Sequence, residues 1–307
     1  MRDMTPSAAL GRGVLVGLVV GAVQAGMWAA SPPWDGHSGV RGPYSSEMLL
    51  ALLVIGMAMA AQFLSRRRLV IALAGGLATL TLGGALWSVA PETTDYGFDR
   101  SLLGGVHVLA AVAGFAVAAW ALTATGQWWC RGAALCGLAA VCGLAFSLEE
   151  PARRWHQARS FELLGVPLVA PDISEHRLYD AQAPIIGSPE EPAISLEYRR
   201  GGAEAVGGSF LGIQVTVRRG SAASAAEACT TPYAGSWQDE AGPCRAASRD
   251  RWVRYGKNGR IGVFAHRNGA LLQLESHGAG EEALLAAVET LRPIAAETLA
   301  EHVHPVR

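Results

Sequence analysis

The chain has 307 residues, 50% of them apolar and 17% charged, with a formal net charge of -1. Ordinary soluble chains carry about 25% charged residues, so a purely cytosolic enzyme is excluded. Near-neutrality without a basic tail or stripe excludes a nucleic-acid partner. Lys257 is the only lysine among 25 basic residues, which all but removes lysine-based covalent chemistry.

The long apolar runs fall before Leu148. A bilayer core about 30 Å thick takes about 20 apolar helical residues. Five stretches qualify, at Gly11–Ala30, Glu47–Leu64, Leu69–Ala90, Leu102–Thr123 and Trp128–Phe146. The fifth spans with Trp128 and Trp129 as interfacial anchors. In the first, Gly13, Gly17, Gly21 and Ala25 recur every four residues and so share one helix face. Small residues in that pattern let a second backbone approach, either within the chain's own bundle or in a partner subunit. Ala133 with Gly137, and Ala139 with Gly143, repeat the pattern in the fifth stretch. No Asp, Glu, Lys or Arg lies deep in any span, which argues against a pump or coupled transporter acting alone. Gln24, Thr79 and Thr81 are expected to bond to neighbouring helices or backbone. His107, the only histidine in a span, reads as a packing residue near the outer end of its helix. One histidine also rules out two-histidine haem ligation in the bundle.

Arginines set the expected orientation. Arg2 and Arg12 precede the first span and Arg66, Arg67 and Arg68 join the second to the third, whereas the opposite side offers Arg41 and Arg100. The positive-inside rule then places the amino terminus in the cytoplasm. Five spans put the carboxy-terminal segment outside, although Arg153, Arg154 and Arg159 pull the other way. The first span reads as an uncleaved anchor, because cleavage after Ala30 would put Trp28 where a small residue is needed. The expectation is a multi-pass plasma-membrane protein with the bilayer as its first partner.

Composition turns mixed from Leu148 onward, which gives expected domains of 1–147 (five transmembrane helices), 148–170 (juxtamembrane helix and linker) and 171–307 (an extracytoplasmic α+β domain with an antiparallel sheet). Glu150–Leu164 is expected either as an amphipathic helix with Trp155, Phe161 and Leu164 on the membrane and Arg153, Arg154 and Arg159 at headgroups, or equally as a plain connecting helix. Gly165, Pro167 and Pro171 mark the linker. Strands are expected over Arg177–Gln182 and Ile194–Tyr198, and where Leu211, Ile213, Val215 and Val217 alternate with polar residues. Asn258-Gly259 and Asn268-Gly269 supply the positive φ angles of type I′ turns. They predict a meander of Trp252–Tyr255, Ile261–His266 and Leu271–Glu275. Helices are expected over Glu281–Leu291, closed by Pro293, and over Ala295–His302.

Cys229 and Cys244 are the two cysteines outside the membrane half, and on an oxidising side they are expected to pair. Tyr233 and Trp237 lie on the loop they would close and are the candidate partner-binding residues, unless they fold back on the sheet. Cys130, Cys136 and Cys142 form neither a CxxC nor a zinc pattern and read as inert apolar residues.

Catalytic motifs fail on inspection. Ser209 and Ser236 miss the G-x-S-x-G spacing, and HExxH, P-loop and GxGxxG patterns are missing from the sequence. His302 and His304 have no third ligand at metal-binding spacing. No catalytic residue, cofactor or metal is expected.

The segment from Trp252 through Asn258-Gly259, Asn268-Gly269, Leu271-Leu272-Gln273-Leu274 and Ala286-Ala287-Val288-Glu289-Thr290-Leu291 resembles the closing strands and helix of extracytoplasmic domains in actinobacterial lipoproteins and membrane-bound regulators. That resemblance implies a binding or sensory module and supplies no catalytic residue. The expected function is therefore an integral membrane protein presenting an extracytoplasmic binding or sensory domain, as an accessory or structural subunit of an envelope complex with a membrane or envelope protein partner. The alternative is an envelope enzyme or transport subunit with a site between the outer domain and the helix ends near His107, Asp95 and Asp99.

Overall fold

The structure, a computed structural model, describes residues 5–30, 68–91, 100–123, 128–183, 192–200, 212–233, 242–256 and 259–303. Pro6 opens α1 (Pro6–Ala30) at the first helical turn, where its missing N–H is no loss. Apolar runs then form α2 (Arg68–Val89), α3 (Arg100–Thr123) and α4 (Trp128–Leu163). All four helices are long and apolar enough to cross a membrane. The expected span Glu47–Leu64 lies outside the described residues. Contacts divide the chain into two compact units that meet in sequence at Arg153 and Arg154.

In the first unit, α3 packs against both α1 and α2. The seam of α1 faces α3, and its glycines are needed there. A methyl at Gly13 would stand 2.7 Å from the Phe115 carbonyl oxygen, one at Gly17 2.5 Å from Val112 Cα, and one at Gly21 2.6 Å from Val108 Cα. Ala25 completes the row against Gly104. The seam is thus filled by this chain's own helix. On the other side of α3, the Phe115 ring lies against Gly75, and Thr79 lies against Gly114. Phe115 is fully buried among Val16, Val20, Ile71 and Ala72. Thr79 and Thr81 donate to the carbonyls of Gly75 and Leu77 at 2.8 and 3.1 Å. Gln24 departs from expectation, because its Oε1 is buried without a hydrogen-bond partner.

The separate amphipathic helix expected over Glu150–Leu164 is corrected in two respects. It continues α4 without a break, with Pro151 inside the helix. Phe161 and Leu164 are buried in the core of the second unit, with Ala158, so they do not offer an apolar face to a membrane. Trp155 stays exposed. The switch to mixed composition from Leu148 suggested a boundary, but burial of Phe161 alone contributes about 2 kcal/mol, which rewards continuing the helix.

The second unit is built on a seven-stranded antiparallel sheet. Its strands are β2 (His176–Gln182), β3 (Ala193–Arg200), β4 (Ile213–Arg219), β5 (Arg245–Ser248), β6 (Arg251–Tyr255), β7 (Ile261–Arg267) and β8 (Ala270–Ser276). They lie in the order β2-β3-β4-β8-β7-β6-β5. A short pair, β1 (Val169–Ala170) with β9 (Arg292–Pro293), stands apart. Asn268 and Gly269 both take positive φ, at 53° and 74°, and turn β7 into β8 as their sequence demands. Gly259 also has positive φ, while Asn258 lies outside the described residues. Leu211 falls outside as well.

The period of two gives the sheet two unlike faces. Ile194, Leu196, Val215, Val217, Leu272, Leu274 and Val263 form the apolar face. It is covered by α6 (Glu281–Glu289), through Leu284, Ala287 and Val288, and by Leu299 of α7 (Ala296–Ala300). Ion pairs fix α6 at both ends. Both oxygens of Glu281 accept from Arg245, at 2.6 and 2.7 Å, and one also accepts from the Tyr255 hydroxyl, while Glu289 pairs with Arg251 and Arg267. These donors hold both carboxyls below the usual carboxylate range, the Tyr255 hydroxyl acting most strongly on Glu281 and Arg251 on Glu289.

The glycine seam gives a direct test. Gly17→Ala drives a methyl into α3 backbone, which cannot move aside as a side chain can, and should lower the stability of the helical unit by about 2 kcal/mol. Gly26→Ala, with nothing within 4 Å, should be neutral or slightly stabilising. Thermal unfolding of the full chain in mild detergent, followed by helix ellipticity, distinguishes the two.

Candidate functional site

The opposite face of the sheet is mixed, with Phe264 and Leu271 beside a patch of buried polar residues, and the paired cysteines lie over its apolar part. Between β4 and β5 the chain forms α5 (Ala225–Thr230), a helix missed in the sequence reading. Its start was legible as a Ser-x-x-Glu capping box. Ser224 Oγ accepts from the Glu227 N–H at 3.2 Å, and Glu227 Oε2 accepts from the Ser224 N–H at 2.8 Å. That reciprocal bonding, the backbone N–H first, holds the Glu227 carboxyl below the usual range. The helix buries Ala225, Ala228 and Cys229 against Phe264 and Leu271. At the same end, just before the cap, His266 Nε2 donates to the Ala223 carbonyl at 2.7 Å.

Cys229 lies at disulfide distance from Cys244, with S–S 2.10 Å and Cα–Cα 6.0 Å. Arg254 on β6 holds the same loop independently. Its Nη1 donates to the carbonyls of Cys229 and Thr230 at 3.0 and 3.3 Å, and its Nε donates to the Gly242 carbonyl at 3.0 Å. One guanidinium therefore spans both ends of the loop that the two sulfurs close.

On the same face, β4 and β8 contribute Thr216, Arg218, Gln273 and Glu275, all buried despite their polarity. Glu275, 3% exposed, pairs with Arg260 and accepts from Gln273 Nε2 at 2.6 Å. Gln273 Oε1 in turn accepts from the Tyr233 N–H at 2.9 Å. The Arg218 guanidinium lies 5.0 Å from the centre of the Tyr233 ring. Burial draws the Arg218 pKa down, and Tyr233 acts against that shift. A buried carboxylate that receives both a guanidinium and an amide is a structural anion, and through Gln273 it holds the Tyr233 backbone against the sheet.

The expected site residues separate on this geometry. Cys229 and Cys244 come together. Tyr233 is 6% exposed and folded onto the sheet, so its ring is not offered to a partner, and Trp237 lies outside the described residues. Gly13, Gly17, Gly21 and Ala25 pack within the chain. His107 is buried in the first unit with its ring centre 5.8 Å from that of Trp87, while Asp95 and Asp99 lie outside the described residues. His302 lends its carbonyl to the Ala181 N–H at 3.1 Å, which ties the carboxy-terminal turn to edge strand β2; His304 lies outside the described residues. Among the described residues no three His, Cys, Asp or Glu side chains are grouped to hold a metal. The sequence reading missed Arg254, Arg260, Gln273 and Glu275. Their one signal was two polar residues alternating with leucines in a strand flanked by apolar strands.

Set against known proteins, the chain finds no match: no family model fits it, and no curated protein and no solved structure is significantly similar.

Two outcomes are expected. Replacing Cys229 and Cys244 together by Ser should lower unfolding stability by about 3 kcal/mol, the loop-closure value for a separation of this size, yet leave a folded sheet because Arg254 still grips both loop ends. Arg260→Ala should cost about 3 kcal/mol by stranding the Glu275 carboxylate, whereas Arg260→Met with Glu275→Leu should recover most of that loss. Denaturant titration of the full chain in detergent reads both. A single-mutant cost equal to that of the double replacement would refute the stranded-charge account.

Proposed function

We propose that the protein is a multi-pass membrane protein whose helical unit anchors an extracytoplasmic binding or sensory domain, as an accessory subunit of an envelope complex. The observation that carries the membrane part is the surface of α4. Leu135, Leu144 and Phe146 are 68%, 61% and 65% exposed, beside exposed Trp128 and Trp129. In water a surface of this kind drives association, whereas hydrocarbon chains solvate it at no cost. Sidedness is supported by the arginines flanking the early spans and by the cysteine pair, since disulfides persist in oxidising compartments. The binding role is supported by the second unit's construction: the ends of the 229–244 loop are pinned by the cysteine pair, Arg254 and Gln273, and pinned loop ends lower the entropic cost of recognition. With the α1 seam filled by α3, a partner helix would meet α4 or another lipid-facing surface.

The test is a set of reporter fusions at the carboxy terminus, combined with thiol labelling of whole cells. A reporter that works only after export should be active, and Cys229 and Cys244 should resist labelling until reductant is added. An active cytosolic reporter overturns the sidedness. Native purification after crosslinking in cells tests the partner, and recovery of monomer alone overturns the subunit role.

A further inference from the structure

Helix α4 carries an apolar stripe that outruns the bilayer. Its 36 residues extend about 54 Å, whereas the hydrocarbon core takes up about 30 Å and the headgroup layer about 5–8 Å more on each side. Val141, Leu144, Leu148 and Trp155 are spaced three, four and seven residues apart, the a and d positions of a heptad seam. All four are exposed, Leu144 by 61% and Trp155 by 64%. Gly137 and Pro151, also exposed, occupy the neighbouring seam positions, and a methyl at Gly137 would meet nothing within 4 Å. Glu149, Glu150 and Arg153 project from the other side of the helix. The apolar sequence ends at Leu148, and Trp155 stands about 10 Å farther along, beyond the headgroup layer. The stripe stops one turn before Ala158 enters the core of the second unit. Lipid therefore solvates its lower part and leaves its upper part to water, where an exposed apolar line marks a protein contact.

We propose that the stripe is the contact between two copies of this chain, with α4 lying parallel to α4 of the second copy. The occupant must be a helix that leaves the membrane at the same place and continues unbroken to the level of Trp155. The other described helices have 25, 22 and 24 residues, and the expected span Glu47–Leu64 is no longer than the hydrocarbon core. Among the described helices only α4 has the length. Two copies insert with the same orientation, so a twofold axis along the membrane normal sets each seam residue against its own counterpart. Leu148, Pro151 and Trp155 then cover one another in the aqueous part, and Gly137 lets the backbones approach in hydrocarbon. No like charges meet, because every seam position from Gly137 to Trp155 is uncharged. The inference rests on the membrane reading of α4 and names the partner helix which that reading leaves open; it does not depend on sidedness.

The experiment compares Trp155→Cys with Glu150→Cys in the full chain, in native membranes under mild oxidation with copper phenanthroline. Position 150 lies about 140° around the helix from position 155. A covalent dimer of this chain is expected from Trp155→Cys, several-fold above Glu150→Cys and above the wild-type chain with its own membrane cysteines. Sedimentation of the full chain in neutral detergent over a dilution series should show a dimer. Leu148→Gln together with Trp155→Gln should raise its Kd about tenfold or more through loss of apolar burial. Both side chains are exposed in the single chain, so this double replacement leaves its fold intact. Equal crosslinking from positions 150 and 155, or a Kd that the double replacement leaves unchanged, overturns the seam. Crosslinking of Trp155→Cys to a different polypeptide overturns the second copy and leaves the subunit reading standing. Monomer from every variant overturns both.

Discussion

Strand β4 meets β8 antiparallel over seven register pairs, from Ile213–Ser276 to Arg219–Ala270. The second unit depends on that pairing. It joins two meanders that are otherwise separate, β2-β3-β4 and β5-β6-β7-β8, into one sheet. It also fixes which residues are inside, because a slip of one residue would exchange the faces. In the observed register Val215 and Val217 meet Leu274 and Leu272 on the apolar side, while Thr216 meets Gln273 and Gln214 meets Glu275 on the other. On that other face Gln273 and Glu275 lie where they anchor the Tyr233 backbone and Arg260.

The helical unit obeys a different constraint. Little there drives specificity except close approach of backbones, since apolar side chains are equally content against lipid or one another. The glycines of α1 supply that approach to α3, and Phe115 fills the space between α1 and α2. Helix α4 contributes differently. Methyl groups at Gly132, Gly137 and Gly143 would meet nothing within 4 Å, so within the chain these glycines do not serve close backbone approach as those of α1 do. The same sequence pattern therefore has two outcomes in one chain, decided by whether a partner helix lies opposite.

Much of the architecture was legible because it follows from local chemistry. Apolar runs named four described helices, alternation named β4, and Asn268-Gly269 fixed the β7–β8 turn through its positive φ angles. Cys229 and Cys244 were legible as a pair because they stood apart from the other cysteines. Elements whose stability comes from distant neighbours were not. The edge strand β5 is exposed along its whole length and has no apolar alternation to betray it. Helix α5 has six residues, too few to form without Phe264 and Leu271 beneath it. The continuity of α4 through Pro151 depends on Phe161 reaching a core made of strands far along the chain.

The sequence by itself determined the two chemistries of this protein, an uncharged helical half and a mixed half with an antiparallel sheet, because hydrophobic periodicity and turn stereochemistry act over a few residues. Only the tertiary structure decided which side chains met. It decided between the two placements open to Tyr233 by making it part of a buried network, and it made Arg254 the second clasp of the disulfide loop. Those outcomes are set by strand register and chain crossing, which bring together residues dozens of positions apart, and no local propensity encodes such pairings.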